Sequence, residues 1–397
     1  MKIVFVLTQS LDSPSGLGRY GPLAREMAKL GHEMSVLALH PSWDNLIRQQ
    51  YVEQSVTVHY VSQMHVRKEG SRKYYYSPGK LLVISLLAVA RLARALAYNQ
   101  AEIIQLCKPH PINITAAKLA RRGRPIFCDC DDYEAETNHF NGRWQKSIIS
   151  YYENSIVNYV NGITTNTRFT YERYRAIGFP TERIIYVPNG VESSRFAENA
   201  NIDLLRRQMQ IQPDSPMVLY LGTLGLKSHP IDLLLQAFTK VVKIIPKAKL
   251  MLVGGGEDYD FLQEEAARLG IIANTLFVGQ VPADQVSDYL QLATVSVDPV
   301  HDDLIARARS PLKVVESLAV GTPVITSDVG DRRETLADGK LGLLVKAGDA
   351  NALAFGIITM LQNEPLCREM SCAALKERHH WRWDKLVHDF AQIYNLG

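Results

Sequence analysis

The chain has 397 residues, 46% of them hydrophobic, and its 44 lysines and arginines against 41 aspartates and glutamates leave a formal net charge of +3. This length exceeds what one hydrophobic core usually serves, so we expect two domains. The slight charge and the lack of a basic block argue against a nucleic-acid partner and leave anionic small molecules open. Its 5 cysteines lack metal-finger spacing, which favours a reducing compartment and predicts a cytoplasmic protein.

The amino-terminal part of the chain predicts a βαβ unit. Residues 2–8 indicate a strand rather than a signal peptide, and a glycine loop, a helix to about Leu30 and a strand at 34–39 follow. Gly16 and Gly18 lie in that loop, at the carboxyl end of a strand, where open sheets bind ligands and where glycine lets the backbone approach a bulky group. A tight turn is the alternative reason for these two glycines.

The apolar helix predicted over 81–98 allows two interpretations. Its wide apolar surface, with Lys80, Arg91 and Arg94 among the few charges, is suited to lie on a membrane. A crossover helix packed on a parallel sheet has the same pattern, and we favour this second interpretation. No uninterrupted apolar run in the sequence reaches membrane-spanning length.

Polar residues gather after two further predicted strands, at 102–106 and 125–129. His110 follows the first, and Asp131 and Asp132 follow the second, so we expect them at one rim of the first domain. There the aspartates can accept hydrogen bonds from hydroxyl groups or take up a released proton. A structural role or a helix cap is the alternative for each. Asp129-x-Asp131 also suits Mg²⁺ or Mn²⁺, an interpretation that we consider the weaker one.

A turn at 187–192, Val-Pro-Asn-Gly-Val-Glu, predicts a hinge after the last strand of the first domain. The alternating pattern then repeats. A strand at 217–221 leads into a loop containing Thr223 and Lys227, and a strand at 249–253 leads into a second loop containing Gly255. Lys227 suits a phosphate group, and a solvated surface lysine is the alternative.

The stretch 310–327 carries the strongest functional signal. Ser310 predicts an N-cap, Pro311 the first helical position and Gly321 the end of a short helix before a strand at 323–326.

The start of that helix predicts an anion site. The backbone N–H groups of Leu312 and Lys313, together with the lysine charge, suit a diphosphate. Glu316, the single acid in an otherwise apolar helix, suits a ribose diol. An ordinary surface helix with a solvated Glu316 is the alternative.

These stretches, with 13–36, 183–196 and 216–348 as the strongest, resemble the family 4 retaining glycosyltransferases, also called group 1. In that family a helix glutamate holds the donor ribose and the preceding loop holds the diphosphate, which implies these roles for Glu316 and for Pro311 to Lys313. The resemblance implies donor contacts for Gly16, Gly18, Thr223, Lys227 and Gly255 as well.

The sequence departs from the family pattern at three places. Ala308 stands where the first of two glutamates usually falls, and Thr223 stands where an arginine is common. The acidic run 128–134 stands where many relatives carry a histidine that positions the acceptor.

The resemblance implies the GT-B fold, an α/β architecture of two Rossmann-like domains facing across a cleft. The acceptor-side domain would span 1–188 and the donor-binding domain 189–378, with the segment 379–397 returning to the first.

The implied reaction transfers a hexosyl group from a nucleotide-diphosphate sugar to a hydroxyl acceptor in polysaccharide, glycolipid or glycoconjugate synthesis. It requires neither cofactor nor metal. It would occur in the cytoplasm, at the inner face of the membrane if residues 80–98 bind lipid. A nucleotide-sugar epimerase and a non-catalytic sugar-nucleotide-binding protein are the alternatives.

Overall fold

The computed structural model describes residues 1–69, 72–138, 140, 142–193 and 202–395. The chain forms two compact units, and each alternates strands and helices around a sheet. Unit 1 contains Met1–Asn189, Ala308–Ser310 and Trp383–Gly397, and unit 2 contains Gly190–Arg307 and Pro311–Arg382.

The main sheet of unit 1 has eight strands within the described residues, in the order β10-β9-β8-β7-β1-β2-β4-β3. All neighbours are parallel except the edge strand β3, which is antiparallel to β4. A separate hairpin is formed by β5 and β6. The strands are β1 (Lys2–Leu7), β2 (Glu33–His40), β3 (Gln50–Glu53), β4 (Val56–Gln63), β5 (Val66–Glu69), β6 (Arg72–Tyr75), β7 (Ile103–Cys107), β8 (Ile126–Cys130), β9 (Gly162–Thr165) and β10 (Ile184–Tyr186).

The central strands of this sheet are buried on both faces, as near-continuous apolar runs such as Ile3–Leu7 require. Helices cover those faces. They are α1 (Gly21–Lys29), preceded by a π-helical turn (Gly16–Tyr20), α2 (Pro78–Tyr98), α3 (Pro111–Ala120), α4 (Glu134–Thr137), α5 (Arg143–Ser155) and α6 (Arg168–Ala176).

Unit 2 has a parallel six-stranded sheet in the order β13-β12-β11-β14-β15-β16 among the residues described. Its strands are β11 (Met217–Leu221), β12 (Lys249–Val253), β13 (Thr275–Gly279), β14 (Val295–Asp298), β15 (Val324–Ser327) and β16 (Gly342–Val345). Its helices are α7 (Ile202–Gln208), α8 (Ile231–Ile244), α9 (Tyr259–Arg268), α10 (Val286–Leu292), α11 (Leu304–Arg307), α12 (Leu312–Ala319), α13 (Arg332–Thr335), α14 (Ala350–Gln362) and α15 (Glu364–Glu377).

The last helix, α16 (Trp383–Gln392), packs into the core of unit 1. The buried indole of Trp383 donates from Nε1 to the carbonyl oxygen of Gly18 at 3.2 Å. The ring of Phe390 lies 6.1 Å from that of Phe5, and the Tyr394 hydroxyl donates to Gln105 at 2.9 Å. Of the segment 379–397, the part that belongs to unit 1 begins at Trp383, and residues 379–382 belong to unit 2.

Helix α2 is apolar nearly all round, but only one of its sides is buried. Ala88, Leu92 and Leu96 are fully buried, and the helix packs against α3 and against β4. The opposite side exposes Leu82 by 60% and Leu86 by 61%. Among the described residues it is the one helix long and apolar enough to cross a membrane by length and composition, and 17% of its most apolar stretch is buried.

Candidate functional site

The carboxyl edge of the sheet in unit 1 is organised by a buried ion pair between Arg19 and Asp129. Nε and Nη2 of Arg19 each donate to an Asp129 oxygen at 2.7 Å, and the Thr164 hydroxyl donates to the same carboxylate at 2.5 Å. Nη1 of Arg19 donates to the carbonyl oxygen of Val187 at 3.0 Å and to Oδ1 of Asn189 at 3.1 Å. The pair therefore ties the first loop, β8, β9 and the turn at 187–189 together. Both oxygens of Asp129 are engaged with protein donors.

The acidic run after β8 surrounds a buried lysine. Nζ of Lys108 lies 2.7 Å from Glu134, 3.2 Å from Asp131 and 3.6 Å from Asp132. Lys108 follows β7 and has a φ of +94°, in the left-handed region that non-glycine residues seldom adopt. This backbone conformation accompanies a side chain directed into the three carboxylates.

The charged groups in this cluster shift one another's pKa values. Burial opposes ionisation of Asp131 and, although Lys108 counteracts it, raises its pKa to about 6. Burial also opposes ionisation of Glu134, but Lys108 and a hydrogen bond from Asn138 lower its pKa overall. For Lys108 itself burial disfavours the charge, and the three carboxylates raise its pKa well above the usual lysine value. Asp131 is thus the acid of this cluster that is poised near neutral pH.

A second buried acid binds the backbone next to the cluster. Glu153 is fully buried and accepts hydrogen bonds from the backbone N–H groups of Glu134 and Ala135 at 3.0 and 3.3 Å. Burial raises its pKa to about 7, although the guanidinium of Arg173, 3.4 Å away, counteracts this. Glu153 therefore fixes the backbone that presents Glu134.

His110 lies at the start of α3 in the same unit. Its Nδ1 accepts a hydrogen bond from the backbone N–H of Ile112 at 3.3 Å, so the side chain caps that helix. Its ring stacks on His65 with 5.4 Å between centroids. Burial, with the nearby His65 and Lys108, lowers its pKa well below the usual value. His110 is therefore a neutral imidazole at physiological pH, with one nitrogen in structural use.

The first glycine loop is tightly packed on itself. A Cβ at Gly16 would lie 2.4 Å from the carbonyl oxygen of Leu11, so no side chain fits there. The carbonyl oxygen of Gly18 accepts the hydrogen bond of Trp383. Internal packing thus accounts for Gly16, as in the tight-turn alternative, while the π-helical turn that follows is a feature frequent at functional sites.

In unit 2 the loops after β11 and β12 touch backbone to backbone. Gly222 and Gly254 have φ values of +138° and +141°, and a Cβ at Gly254 would lie 1.9 Å from the carbonyl oxygen of Gly222. The N–H of Leu224 donates to the carbonyl oxygen of Gly255 at 3.0 Å, which joins the loops further. Thr223 and Lys227, in the first of these loops, are exposed.

Lys313 crosses from α12 to this paired loop. Its Nζ lies 4.1 Å from the centroid of the Tyr220 ring and 3.6 Å from Asp298, and a Cβ at Gly222 would lie 3.1 Å from it. The structure therefore brings Lys313 together with the loop that carries Thr223 and Lys227. Glu316 lies one turn further along α12 and is buried, with 8% of its surface exposed, so it is not a solvated surface residue.

The start of α12 differs from the prediction in one respect. The helix begins at Leu312 with Pro311 in the capping position, and no side chain among the described residues caps it. Ser310, predicted as the N-cap, instead accepts a hydrogen bond at Oγ from the N–H of Asn189, and its carbonyl oxygen accepts from the Asn189 side chain at 2.9 Å. The predicted cap is wrong because the hydroxyl group of Ser310 instead bonds to Asn189 in the turn at 187–189.

Two residues that the sequence did not single out support Lys313. Asp298 ends β14, and its carboxylate accepts a hydrogen bond from Nε of Arg332 at 2.9 Å. Arg332 is 1% exposed and donates from Nη1 to the carbonyl oxygens of Ala306 and Val329. An aspartate at the end of an apolar strand was the available signal for Asp298, whereas Arg332 lies in a helix too short to show periodicity.

Two family descriptions match the chain and together span most of it. Glycosyltransferase Family 4 matches residues 22–195, and Glycosyl transferases group 1 matches residues 201–377. The chain belongs to the family 4, group 1 glycosyltransferases.

Curated relatives of this glycosyltransferase occur in Mycolicibacterium smegmatis. A phosphatidyl-myo-inositol mannosyltransferase is 24% identical over 398 residues, which cover 99% of this chain and 93% of the relative. A GDP-mannose-dependent alpha-(1-6)-phosphatidylinositol monomannoside mannosyltransferase is 27% identical over 227 residues, 56% of this chain and 58% of the relative. The second match thus spans little more than half of that protein.

The solved structure of Anabaena HepE in complex with UDP and glucose has the same fold as this glycosyltransferase. Its TM-score is 0.75 at 18% identity, and the match covers 100% of this chain and 99% of that chain. The predicted fold class, the α/β GT-B architecture of Rossmann-like domains, is confirmed.

The carboxylates around Lys108 generate a prediction for this glycosyltransferase. Lys108→Met is expected to lower the free energy of unfolding by about 3–5 kcal/mol at pH 8, because three acids lose their buried counter-ion. Without the ammonium that opposes it, burial holds the folded-state pKa values of Asp131 and Glu134 above their unfolded values. The fold then favours their protonated forms, so the deficit shrinks as the pH falls towards 5. Urea unfolding followed by circular dichroism at both pH values measures this.

Lys146→Met is the matched control, since Lys146 pairs with Glu136 while its side chain is 48% exposed. It is expected to change stability by less than about 1 kcal/mol at either pH. Equal deficits of Lys108→Met at pH 8 and pH 5 would show that packing, rather than charge, explains the loss.

Proposed function

We propose that this protein transfers a hexosyl group, with retention of configuration, from a nucleotide-diphosphate sugar to a hydroxyl acceptor. The observation that carries the proposal is the placement of Lys313 and Glu316 on α12. Lys313 lies against the glycine loop of Gly222, and Glu316 is buried one turn later. A nucleotide diphosphate requires a cation for its phosphates and an acceptor for its ribose hydroxyls, and α12 carries both.

On the donor side, charges that are already held in position would bind and stabilise the diphosphate. Lys313 and the backbone at the start of α12 would bind the diphosphate and stabilise the charge that develops as the glycosidic bond breaks. Asp298 and Arg332 hold the lysine in place before the donor arrives, since both are buried and bonded. Lys227, exposed on the loop after β11, adds a second cation for the phosphates. Thr223 lies in the same loop, and Gly255 lies in the adjoining loop after β12.

The acceptor side would use the acidic cluster of unit 1. With its pKa raised to about 6, Asp131 is mostly ionised at pH 7 yet basic enough to accept a proton from an attacking hydroxyl. Asp132, partly exposed beside it, would accept a hydrogen bond from another acceptor hydroxyl. Since retention of configuration without a protein nucleophile requires attack on the face that the leaving group departs from, we infer same-face attack assisted by the departing phosphate.

The relatives support a hydroxyl acceptor on a lipid or polysaccharide precursor. One is named for mannosyl transfer to phosphatidyl-myo-inositol, and HepE was solved with UDP and glucose. We extend this to a nucleotide-sugar donor and a polyol or sugar acceptor in cell-envelope synthesis, at the cytoplasmic face of the membrane. The apolar face of α2, which exposes Leu82 and Leu86, is the proposed lipid contact.

The assay that tests the function incubates the full chain with UDP-, GDP- and ADP-hexoses, with and without phosphatidylinositol or soluble polyols. Nucleotide release that depends on an acceptor, with an α-linked product from an α-linked donor, supports the proposal. Release of free sugar or isomerised donor without an acceptor would indicate an epimerase. Binding of the donor without any product would indicate a non-catalytic nucleotide-sugar-binding protein.

Glu316→Gln is expected to weaken donor binding and kcat/KM by about 1–3 kcal/mol, the range for a disturbed charged hydrogen bond. Calorimetry with the donor nucleotide and initial rates measure the two effects. The control Glu364→Gln changes an exposed acid at the start of α15 and should leave both unchanged. Wild-type kinetics in Glu316→Gln with every donor would remove the ribose assignment.

The proposed absence of a metal gives a separate prediction. Because Lys313 and the start of α12 meet the diphosphate charge, EDTA is expected to leave the initial rate unchanged. The control adds Mg²⁺ or Mn²⁺ back to the chelated enzyme. Loss of activity on chelation, with recovery on adding Mn²⁺, would contradict this and return attention to Asp129 and Asp131.

The lipid contact is tested with the double variant Leu82→Ser, Leu86→Ser. Its sedimentation with phosphatidylcholine vesicles, and with vesicles that contain phosphatidylglycerol, is expected to fall at least about tenfold, since two exposed leucines lose their burial in the bilayer. Activity on a soluble acceptor should persist. Unchanged sedimentation with both vesicle types would contradict the contact.

A further inference from the structure

A cavity of about 420 Å³ lies between the sheet of unit 1 and the carboxyl-terminal half of α2. Its floor includes the apolar side chains of Leu37 from β2 and Val61 from β4, and α2 supplies Arg91, Arg94 and Tyr98 to its wall. The volume falls within the roughly 300–1,000 Å³ of small-molecule sites. No role in the transfer reaction uses this space.

The cavity has a positive lining. Arg91 and Arg94 contribute two guanidinium groups, and none of the described residues that line the cavity is acidic. Arg91 is held in place, because its guanidinium lies 4.4 Å from the centroid of the Trp43 ring and donates to the Ser62 hydroxyl at 3.4 Å. Arginine presents a planar fork that matches the oxygens of a phosphate, so a preset arginine beside a second one suits that group.

The negative end of α2 adjoins the cavity and would repel an anion if it were left uncompensated. Two arginines from the loop between α3 and β8 compensate this negative end. Arg124 donates to the carbonyl oxygens of Leu96 and Asn99, and Arg122 donates to that of Ala97. The last carbonyls of the helix are therefore paired with cations, which preserves the positive character of the cavity.

The position separates this cavity from the acidic cluster. Ser35 and Thr57 lie near the amino ends of β2 and β4, whereas Asp131 and Asp132 follow the carboxyl end of β8. In the sheet order β7 and β1 lie between β8 and β2, so about 14 Å of sheet separates the two groups sideways. A ligand in the cavity is therefore distinct from the acceptor at the acidic cluster.

We propose that this cavity binds a phosphate ester, with its phosphate on Arg91 and Arg94 and its carbon portion against the apolar floor. The polar lining, which includes Gln50, Thr57, His59 and Asn99, is suited to hydroxyl groups on that portion. Arg94 lies two turns after the exposed Leu87, almost on the same line of α2, so the cavity adjoins the apolar surface of that helix. The phosphate ester is thus either a soluble metabolite or the headgroup of an anionic lipid.

Two measurements on the full chain distinguish these sources. Calorimetry with glycerol 3-phosphate tests a soluble ester, and sedimentation with phosphatidylglycerol vesicles, compared with phosphatidylcholine vesicles, tests the lipid. In Arg94→Glu we expect binding in at least one of these arms to weaken at least about tenfold, the effect of losing a charged hydrogen bond. Arg94 is exposed on α2, so the variant is expected to fold.

Lys80→Glu is the matched control, because it makes the same charge change in an exposed residue of α2 outside the cavity. Lys313→Gln, in unit 2, shows whether glycerol 3-phosphate binds at the donor site instead. Loss confined to Arg94→Glu supports the proposal, in the soluble arm for a metabolite and in the vesicle arm for a lipid. Equal losses in Arg94→Glu and Lys80→Glu, loss only in Lys313→Gln, or no loss in either arm would overturn it.

Discussion

The buried pair of Arg19 and Asp129 is the interaction on which the polar edge of unit 1 depends. Removing two charges from water costs several kcal/mol per ion, and the cost is met here because the two groups are bidentate and the remaining donors of Arg19 reach backbone and side-chain oxygens. An ion pair satisfied in this way fixes the relative orientation of the segments that it joins more than it adds to the stability of the fold. It anchors the carboxyl end of β8, directly before Asp131 and Asp132.

In unit 2, glycines rather than an ion pair position the loops of the candidate site. The loops at Gly222 and Gly254 approach so closely that no Cβ fits between them, and this leaves a smooth backbone surface against which Lys313 lies. Asp298 then stands between two cations, Lys313 and the buried Arg332. A lysine with both its contact surface and its counter-ion fixed needs little rearrangement when an anion arrives, which is the meaning of preorganisation.

The sequence predicted the parallel α/β order, because buried strands leave periodic signals, and it predicted the helix of Lys313 and Glu316, because Pro311 and Gly321 mark its two ends. It did not predict β3 or the hairpin of β5 and β6, since these strands are four residues each and polar. Nor did it predict that Lys108 would gather Asp131, Asp132 and Glu134. That cluster depends on a left-handed backbone at Lys108 and on the neighbouring order of β7 and β8, neither of which local sequence reports.

The return of α16 to unit 1 has a consequence for biosynthesis. Strands β1 to β10 are made before unit 2, yet Trp383, Phe390 and Tyr394, which complete their core, are made after it. While the ribosome translates unit 2, the apolar surface around Phe5 and the carbonyl group of Gly18 lack these partners. Unit 2, whose segments lie between those of unit 1, can therefore mature before the amino-terminal unit does, and the nascent first unit must avoid aggregation until α16 has been synthesised.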